Sequence, residues 1–281
     1  MTKVRLAIPN KGRIAEPIND LMAKAGIHVK MTASRQLIAK TVDPNIEILF
    51  VRPIDIPEYV AKGVADIGIT GLDMIAERRA DVEPILDLKF GGARLVLAVP
   101  EASAVREVAD MKGMRIATEF PNICEDFFKA AGVEVAGACE EAPQLGVADA
   151  IADLTSSGTT LEINKLRIVS EVLASTTHVI ANRDSLVEKR EKIDEILLAF
   201  ESVMAAAGMC YLMLNVEREK LDDIKQLIPG LGGPTVMDIA GSTSVSLHAV
   251  VSSDRVYQLI NQLKNAGARD ILVLDITRMV R

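Results

Sequence analysis

Residues 65–80 read ADIGITGLDMIAERRA. Ile67 and Ile69 alternate with small residues, Gly71 closes the run, and an amphipathic helical stretch begins at once. A short apolar strand that turns through glycine into a helix is one βα unit. A chain made of such units folds as mainly parallel sheets covered by helices.

Working outward, the unit recurs. VRLAI (4–8) is a strand that runs into PNKGR, then a helix carrying Ile14, Ile18, Leu21 and Met22. IEILFV (46–51) is a strand followed by a loop and helix in RPIDIPEYVAKG. RLVLAVP (94–100) and MRIATEF (114–120) are strands, EDFFKAAG (125–132) a helix closed by glycine, and VEVAGAC (133–139) a strand. VADAIADLT (147–155) fits a short helix or a strand. LRIVSEVLAST and THVIANR are strand-like, and residues 186–208 read as one long amphipathic helix ended by Gly208. More than 200 residues of this pattern predict two lobes with a cleft between them.

The last 70 or so residues change character. YLMLNV (211–216) is a strand, and REKLDDIKQLI a helix with Leu221, Ile224, Leu227 and Ile228 on one stripe. After PGLGGPT (229–235), TSVSLHAVV alternates strictly between apolar and polar. SDRVYQLINQLKNAG is a helix capped by Ser253 or Asp254 and stopped by Gly267, and ILVLDITRMV is a final strand. The order βαββαβ is that of a ferredoxin-like domain.

Composition narrows the function. Of 281 residues 49% are apolar and 25% charged, as in an ordinary globular protein. Aromatics make up 3% and tryptophan is absent, which disfavours a stacking platform for single-stranded nucleic acid. The net charge of −7, from 39 acids against 32 bases, gives no field that attracts nucleic acid. The three cysteines and three histidines are scattered, without metal-ligand spacing. Residues 1–20 lack the apolar run of a signal peptide and no stretch reaches membrane-spanning length. The expectation is a reduced, cytoplasmic protein that does not engage membranes.

Four stretches could carry chemistry. In DLTSSGTTL (153–161), Thr155, Ser156, Ser157, Thr159 and Thr160 supply hydroxyls and amides, and Gly158 permits close backbone approach. A dianion such as a phosphate suits such a loop before a helix. Asp149 and Asp153 are four apart; on one helical turn they would share a face and could address a ribose diol. An ordinary N-capped, solvated helix end explains the same residues, and the stretch alone leaves both readings open. PNKGR places Lys11, Gly12 and Arg13 after a strand, as an anion site or a solvated turn. Arg52 ends a strand. Thr70, Gly71, Asp66 and Asp73 offer polar contacts at a crevice, or Asp73 is simply a helix N-cap. Thr118 and Asn122 follow another strand and could reach the cleft. His178, in an apolar segment, reads as a buried or hinge-side residue rather than a catalyst, and the cysteines read as core.

Taken together, these stretches resemble the ATP phosphoribosyltransferase family. The long signature runs Glu140, five residues, Gly146, one, Ala148, two, Ile151, one, Asp153-Leu154, two, Ser157-Gly158, one, Thr160-Leu161. PNKGR and RPIDIPEYVAKGVADIGITGLD look like the family's other hallmarks, and the resemblance spans essentially the whole chain. It implies a two-lobed α/β catalytic region similar to type II periplasmic-binding proteins, and a C-terminal ferredoxin-like regulatory domain marking the long form. The expected parts are lobe I in 1–90 and 175–208, lobe II in 91–174, and the regulatory domain in 209–281. The implied reaction joins N1 of ATP to C1 of phosphoribosyl pyrophosphate with Mg²⁺ and releases pyrophosphate. Residues 153–161 would hold the 5-phosphate, and Asp149 and Asp153 the ribose or, less directly, the metal. Lys11, Arg13, Arg52 and Asp73 would line the side towards ATP or pyrophosphate. Histidine would inhibit from a pocket that includes PGLGGPT, with Leu231 and Thr235 leading and Asn215 and Val273 beside them. Dimers assembling to hexamers are implied too.

The competing reading is a binding module: a solute receptor, a transcription effector domain or a metabolite-sensing subunit. A receptor should carry a signal sequence, a regulator a helix-turn-helix, and a sensing subunit has no use for the ribose-phosphate pattern.

Overall fold

Strand β1 (Val4–Pro9) is an almost unbroken run of buried side chains, the mark of a strand covered on both faces. Helix α1 (Ala15–Lys24) returns over the sheet and buries Ile18, Leu21 and Met22. Next come β2 (Val29–Lys30), β3 (Ile38–Thr41), β4 (Ile46–Val51), α2 (Ile56–Ala61), β5 (Ile67–Gly71), α3 (Leu72–Arg78) and β6 (Glu83–Asp87). The chain then builds a second layer from β7 (Ala93–Pro100), β8 (Arg115–Thr118), α4 (Pro121–Ala131), β9 (Gly137–Cys139), β10 (Ala150–Thr155), α5 (Thr159–Ile163) and β11 (Leu166–Ser175). It returns through β12 (Thr177–Ala181), α6 (Arg183–Glu188) and α7 (Arg190–Ala206). These features come from a computed structural model that describes residues 3–30, 37–135, 137–139, 148–228 and 232–281.

Two sheets result. The first has the order β2-β3-β4-β1-β5-β12-β6, the second β11-β7-β10-β8-β9. In the first, β1 pairs in parallel with β4 and β5, while β12 runs antiparallel to β5 and β6. In the second, β10 is parallel to β8 and antiparallel to β7. The chain passes between sheets twice, at residues 88–92 and at Thr176. This is the expected two-lobed α/β architecture. The core order β4-β1-β5-β12-β6, with one strand donated after the second lobe, is that of type II periplasmic-binding proteins. Leu95, Leu97, Ile116, Phe120 and Phe128 fill one side of the second sheet.

Compact packing divides the chain into two units, Met1–Ala23 with Ile27–Leu197, and Lys24–Gly26 with Leu198–Arg281. The second unit contains β13 (Met209–Glu217), α8 (Leu221–Leu227), β14 (Thr235–Asp238), β15 (Ser244–Ser252), α9 (Ser253–Asn265) and β16 (Arg269–Asp275). Its antiparallel sheet has the order β14-β15-β13-β16. That order with βαββαβ connectivity is the expected ferredoxin-like fold. Leu212, Leu214, Val245 and Leu247 on one sheet face pack against Ile224, Leu259 and Leu263 of the helices.

Several local expectations give way. Of the helix and the strand that 147–155 left open, the strand forms, β10, and Asp149 stands in a bend before it, so the shared helical turn of Asp149 and Asp153 does not. The helix expected over 186–208 is two, broken at Lys189, whose Nζ reaches Asp66 Oδ1 at 2.7 Å. The N-caps of α3 and α9 are Gly71 and Ser252, without side-chain capping bonds, rather than Asp73 and Ser253 or Asp254. Strands β2, β3, β6 and β14 have no counterpart among the stretches that read as strands. β2 is two residues long, and β6 is an edge strand containing Pro84, a residue that an edge tolerates.

Candidate functional site

The cleft is built where the C-terminal strand ends of the first sheet meet the second lobe. A cavity of about 130 Å³ is lined there by Arg13, Ile14, Pro53, Gly71, Asp73, Met74, Gly91, Leu154 and Thr177.

Gly71 ends β5 and Asp73 sits in the first turn of α3, where the helix dipole favours a carboxylate. Asp73 is only 3% exposed. Ser175, at the end of β11, fixes it: Ser175 Oγ donates to Asp73 Oδ1 at 2.7 Å and accepts from the Asp73 amide at 3.1 Å. A Cβ on Gly71 would stand 2.0 Å from Asp73 Oδ1, so this carboxylate position requires glycine. The Thr70 hydroxyl donates to the Pro53 carbonyl at 3.2 Å and is buried. Thr177 is wholly buried, and its Oγ1 has no hydrogen-bond partner among the described residues.

The loop after β1 carries Lys11, exposed, and Gly12, whose φ of +99° suits glycine. Arg13 Nη1 is bound to the carbonyls of Gly91 (2.6 Å) and Gly92 (3.1 Å) on one of the two crossing segments. It braces the crossing segment at the cleft wall. Arg52 precedes a short 3₁₀ turn and its Nε donates to Asp55 Oδ2 at 2.6 Å.

In the second lobe the loop after β10 closes on itself. The Gly158 amide donates to Thr155 Oγ1 at 2.8 Å, and the Ser157 and Thr159 hydroxyls are 2.9 Å apart. Gly158 has φ +85° with open space where a Cβ would project, and it starts α5. Ser156, Ser157, Thr159 and Thr160 are exposed; the Thr159 amide donates to Ser157 Oγ at 3.4 Å and the Leu161 amide to the Gly158 carbonyl at 3.0 Å. Asp153 is exposed on β10, with Oδ1 accepting from the Leu154 amide at 2.7 Å.

Asp149 does not join it. Three residues of strand separate them, so the two acids lie up to about 13 Å apart rather than on one helical turn. Asp149 Oδ2 accepts the Arg115 amide at 2.9 Å and faces its guanidinium, Nε at 3.7 Å. Asp66 is likewise at the wrong end of its strand: it is buried and takes hydrogen bonds from the Arg5 amide, Ser185 Oγ and Lys189 Nζ. Thr118 is buried, its Oγ1 occupied by the Phe120 amide at 2.9 Å and near Cys124 Sγ at 3.8 Å. Burial pushes the Cys124 thiol up to about 11; the Thr118 hydrogen bond opposes this and Glu77 adds to it. Glu140 and Gly146 lie outside the described residues.

Asn122 is engaged across the two lobes. Glu77 of α3 accepts from the amides of Asn122 (3.2 Å) and Ile123 (3.1 Å) at the start of α4, and Arg79 pairs with Glu125 and Asp126. Ser175, Glu77 and Thr177 were not singled out in the sequence. ERRA reads only as part of a helix, and the only trace of the other two is a cluster of three hydroxyls between two strands.

The second unit presents its open sheet face separately. Tyr211 OH is 2.7 Å from His248 Nδ1, and His248 Nε2 is 3.1 Å from Ser246 Oγ. Asn215 Nδ2 donates to Asp270 Oδ2 at 3.0 Å, while its Oδ1 has no partner among the described residues. Thr235 stands opposite His248, on the face that Asn215 shares. Val273 stands opposite Leu212, on the helix-covered face, and Leu231 lies outside the described residues. Among the described residues no group of three or more His, Cys, Asp and Glu could hold a metal ion, and no helix is long and apolar enough to cross a membrane.

The sequence matches the family model for ATP phosphoribosyltransferase over residues 52–202 and that for the HisG C-terminal domain over 206–278. Proteins named ATP phosphoribosyltransferase from Methanosarcina acetivorans and Methanocella arvoryzae are 50% and 51% identical to it, covering 99% of this chain and 99% and 100% of theirs. A solved structure, the ATP phosphoribosyl transferase (HisG:HisZ) complex from Thermotoga maritima, is similar with a TM-score of 0.61 and 31% identity, over 70% of this chain and 98% of that one.

Proposed function

The chain belongs to the ATP phosphoribosyltransferase family, and from that premise we propose how its cleft performs the reaction. It is a phosphoribosyl-transferring enzyme of the first step of histidine biosynthesis. The loop Thr155–Thr160 holds the 5-phosphate of phosphoribosyl pyrophosphate. The supporting observation is its pre-closed form: Thr155 and the Ser157–Thr159 pair fix the loop, leaving outward hydroxyls and amides for an anion. Asp153, on the strand feeding that loop, addresses the ribose. Asp149 serves the β8–β10 junction.

Transfer breaks the bond between C1 and the pyrophosphate oxygen, whose electron pair leaves with pyrophosphate. The N1 lone pair of ATP forms the new bond to C1. Charge builds on the leaving group, so cations matter more than a base, and N1 needs alignment above all. Mg²⁺ is read as arriving with the substrate, as the counter-ion of the pyrophosphate. Lys11 and Arg52 face the phosphates, while Arg13, bound to Gly91 and Gly92, holds the crossing segment in place. Residues 1–90 and 175–208 form lobe I and 91–174 lobe II.

The open sheet face of residues 209–281 takes histidine as feedback inhibitor, through Asn215 and Thr235. The protein works in the cytoplasm as a homo-oligomer, dimers assembling to hexamers that histidine favours. One assay tests the main reading: the chain is mixed with ATP, phosphoribosyl pyrophosphate and Mg²⁺, and the absorbance of N1-ribosylated adenine is followed. Absence of that product would refute it.

A further inference from the structure

Three consecutive hydroxyl residues, Ser175, Thr176 and Thr177, carry the chain from the second sheet back to the first. Two find partners within the protein: Ser175 Oγ bonds Asp73, and Thr176 Oγ1 lies 3.4 Å from His178 Nδ1. Thr177 differs. Its backbone is fully used, the amide donating to the Phe90 carbonyl at 3.1 Å and the carbonyl accepting from the Leu88 amide at 2.9 Å. Its side chain is completely buried in the cleft wall with Oγ1 unpaired. Valine would fill the same space without burying an unsatisfied polar atom. Gly91 also yields to this hydroxyl: at φ +64° a Cβ there would stand 2.6 Å from Thr177 Oγ1.

We propose that the Thr177 hydroxyl positions the purine base of the nucleotide substrate, donating to N7 while Asp73 accepts from the 6-amino group. The inference rests on the ATP phosphoribosyltransferase reading. The cavity chemistry selects a base rather than a phosphate. Ile14, Pro53, Met74 and Leu154 are apolar walls, and the buried Asp73 carboxylate repels an anion. Adenine presents an acceptor, N7, beside a donor, its amino group, on one edge. Bonding along that edge leaves N1 free to attack C1. Guanine presents two acceptors there, so Asp73 would oppose its O6 and the pair would select adenine.

The test is calorimetric binding of ATP and of 7-deaza-ATP, which lacks the N7 acceptor, to the full chain and to Thr177→Val and Thr177→Ser. The wild type should bind 7-deaza-ATP roughly five- to tenfold more weakly than ATP, and Thr177→Val should weaken ATP by a similar factor with no further loss for the deaza analogue. Thr177→Ser should restore the preference. Thr177→Val should melt no lower than wild type, whereas a purely structural hydroxyl would lower the melting temperature and leave the preference intact. Equal binding of the two nucleotides by the wild type overturns the proposal even if the valine variant does not fold. So does a valine variant that keeps the preference. Either result leaves the transferase reading standing, because that is decided by product formation in the wild type.

Discussion

Asp73 is held by a serine that comes from a different sheet, so its aim depends on residues far away in sequence. Gly71→Ala would drive a methyl into its carboxylate oxygen. The expected result is a folded protein whose kcat/KM falls roughly tenfold or more. Ser175→Ala should have a weaker effect of the same sign, read from the same steady-state assay. The two acids of the second lobe separate cleanly. Asp153→Asn should lower kcat/KM roughly a hundredfold or more with an unchanged melting curve. Asp149→Asn loses only a half-exposed contact with Arg115, so it should keep activity and cost under about 1 kcal/mol of stability. Cys124 offers a chemical check. With its thiol pushed up to about 11 by burial, roughly a thousandth is thiolate at pH 8, so alkylation followed by mass spectrometry should find it inert until the lobe unfolds.

At the scale of elements, the loop between β10 and α5 depends on Gly158 in the left-handed region. Valine there should cost about 1–3 kcal/mol and raise the KM for phosphoribosyl pyrophosphate; an unchanged KM would show that the loop holds no phosphate. Helix α4 is anchored by Phe128, so Phe128→Ala should lower stability by about 3–5 kcal/mol in urea melts. The architecture was legible because strand and helix periodicities are strong where burial is one-sided or complete, as in β1, α1 and α9. The hydroxyl-rich loop before α5 was legible because its hydroxyls and glycine are contiguous. What stayed hidden was pairing between distant segments. DAIAD could be a helix or a strand from its own residues, and only the ladders of β10 with β7 and β8 decide it, which moves Asp149 away from Asp153. Glu77 and Ser175 became legible only once α3 met α4 and the end of β11.

For the whole molecule, histidine should inhibit only if it binds one global state better than another. Asn215→Ala or Thr235→Ala should raise the histidine concentration that halves the rate; inhibition unchanged in both would place the site elsewhere. Acid sensitivity has identifiable sources in the first unit. Lys3 and Lys192, by direct hydrogen bonds, hold Glu47 and Asp43 below the usual carboxylate range. Depressed carboxylates contribute stability at neutral pH and lose it as pH falls through their folded-state values, so unfolding should steepen below about pH 4. Glu47→Gln should be less stable than wild type at pH 7, and the difference should shrink as pH drops.

Strand β12, wedged between β5 and β6, also governs how the protein is made. On the ribosome, β5 and β6 are complete roughly a hundred residues before the strand that must lie between them. Throughout the synthesis of the second lobe, both carry unpaired backbone edges open to other chains. The first lobe closes only after residue 181 has emerged, so a nascent chain stalled before that point is an aggregation hazard that chaperones must shield.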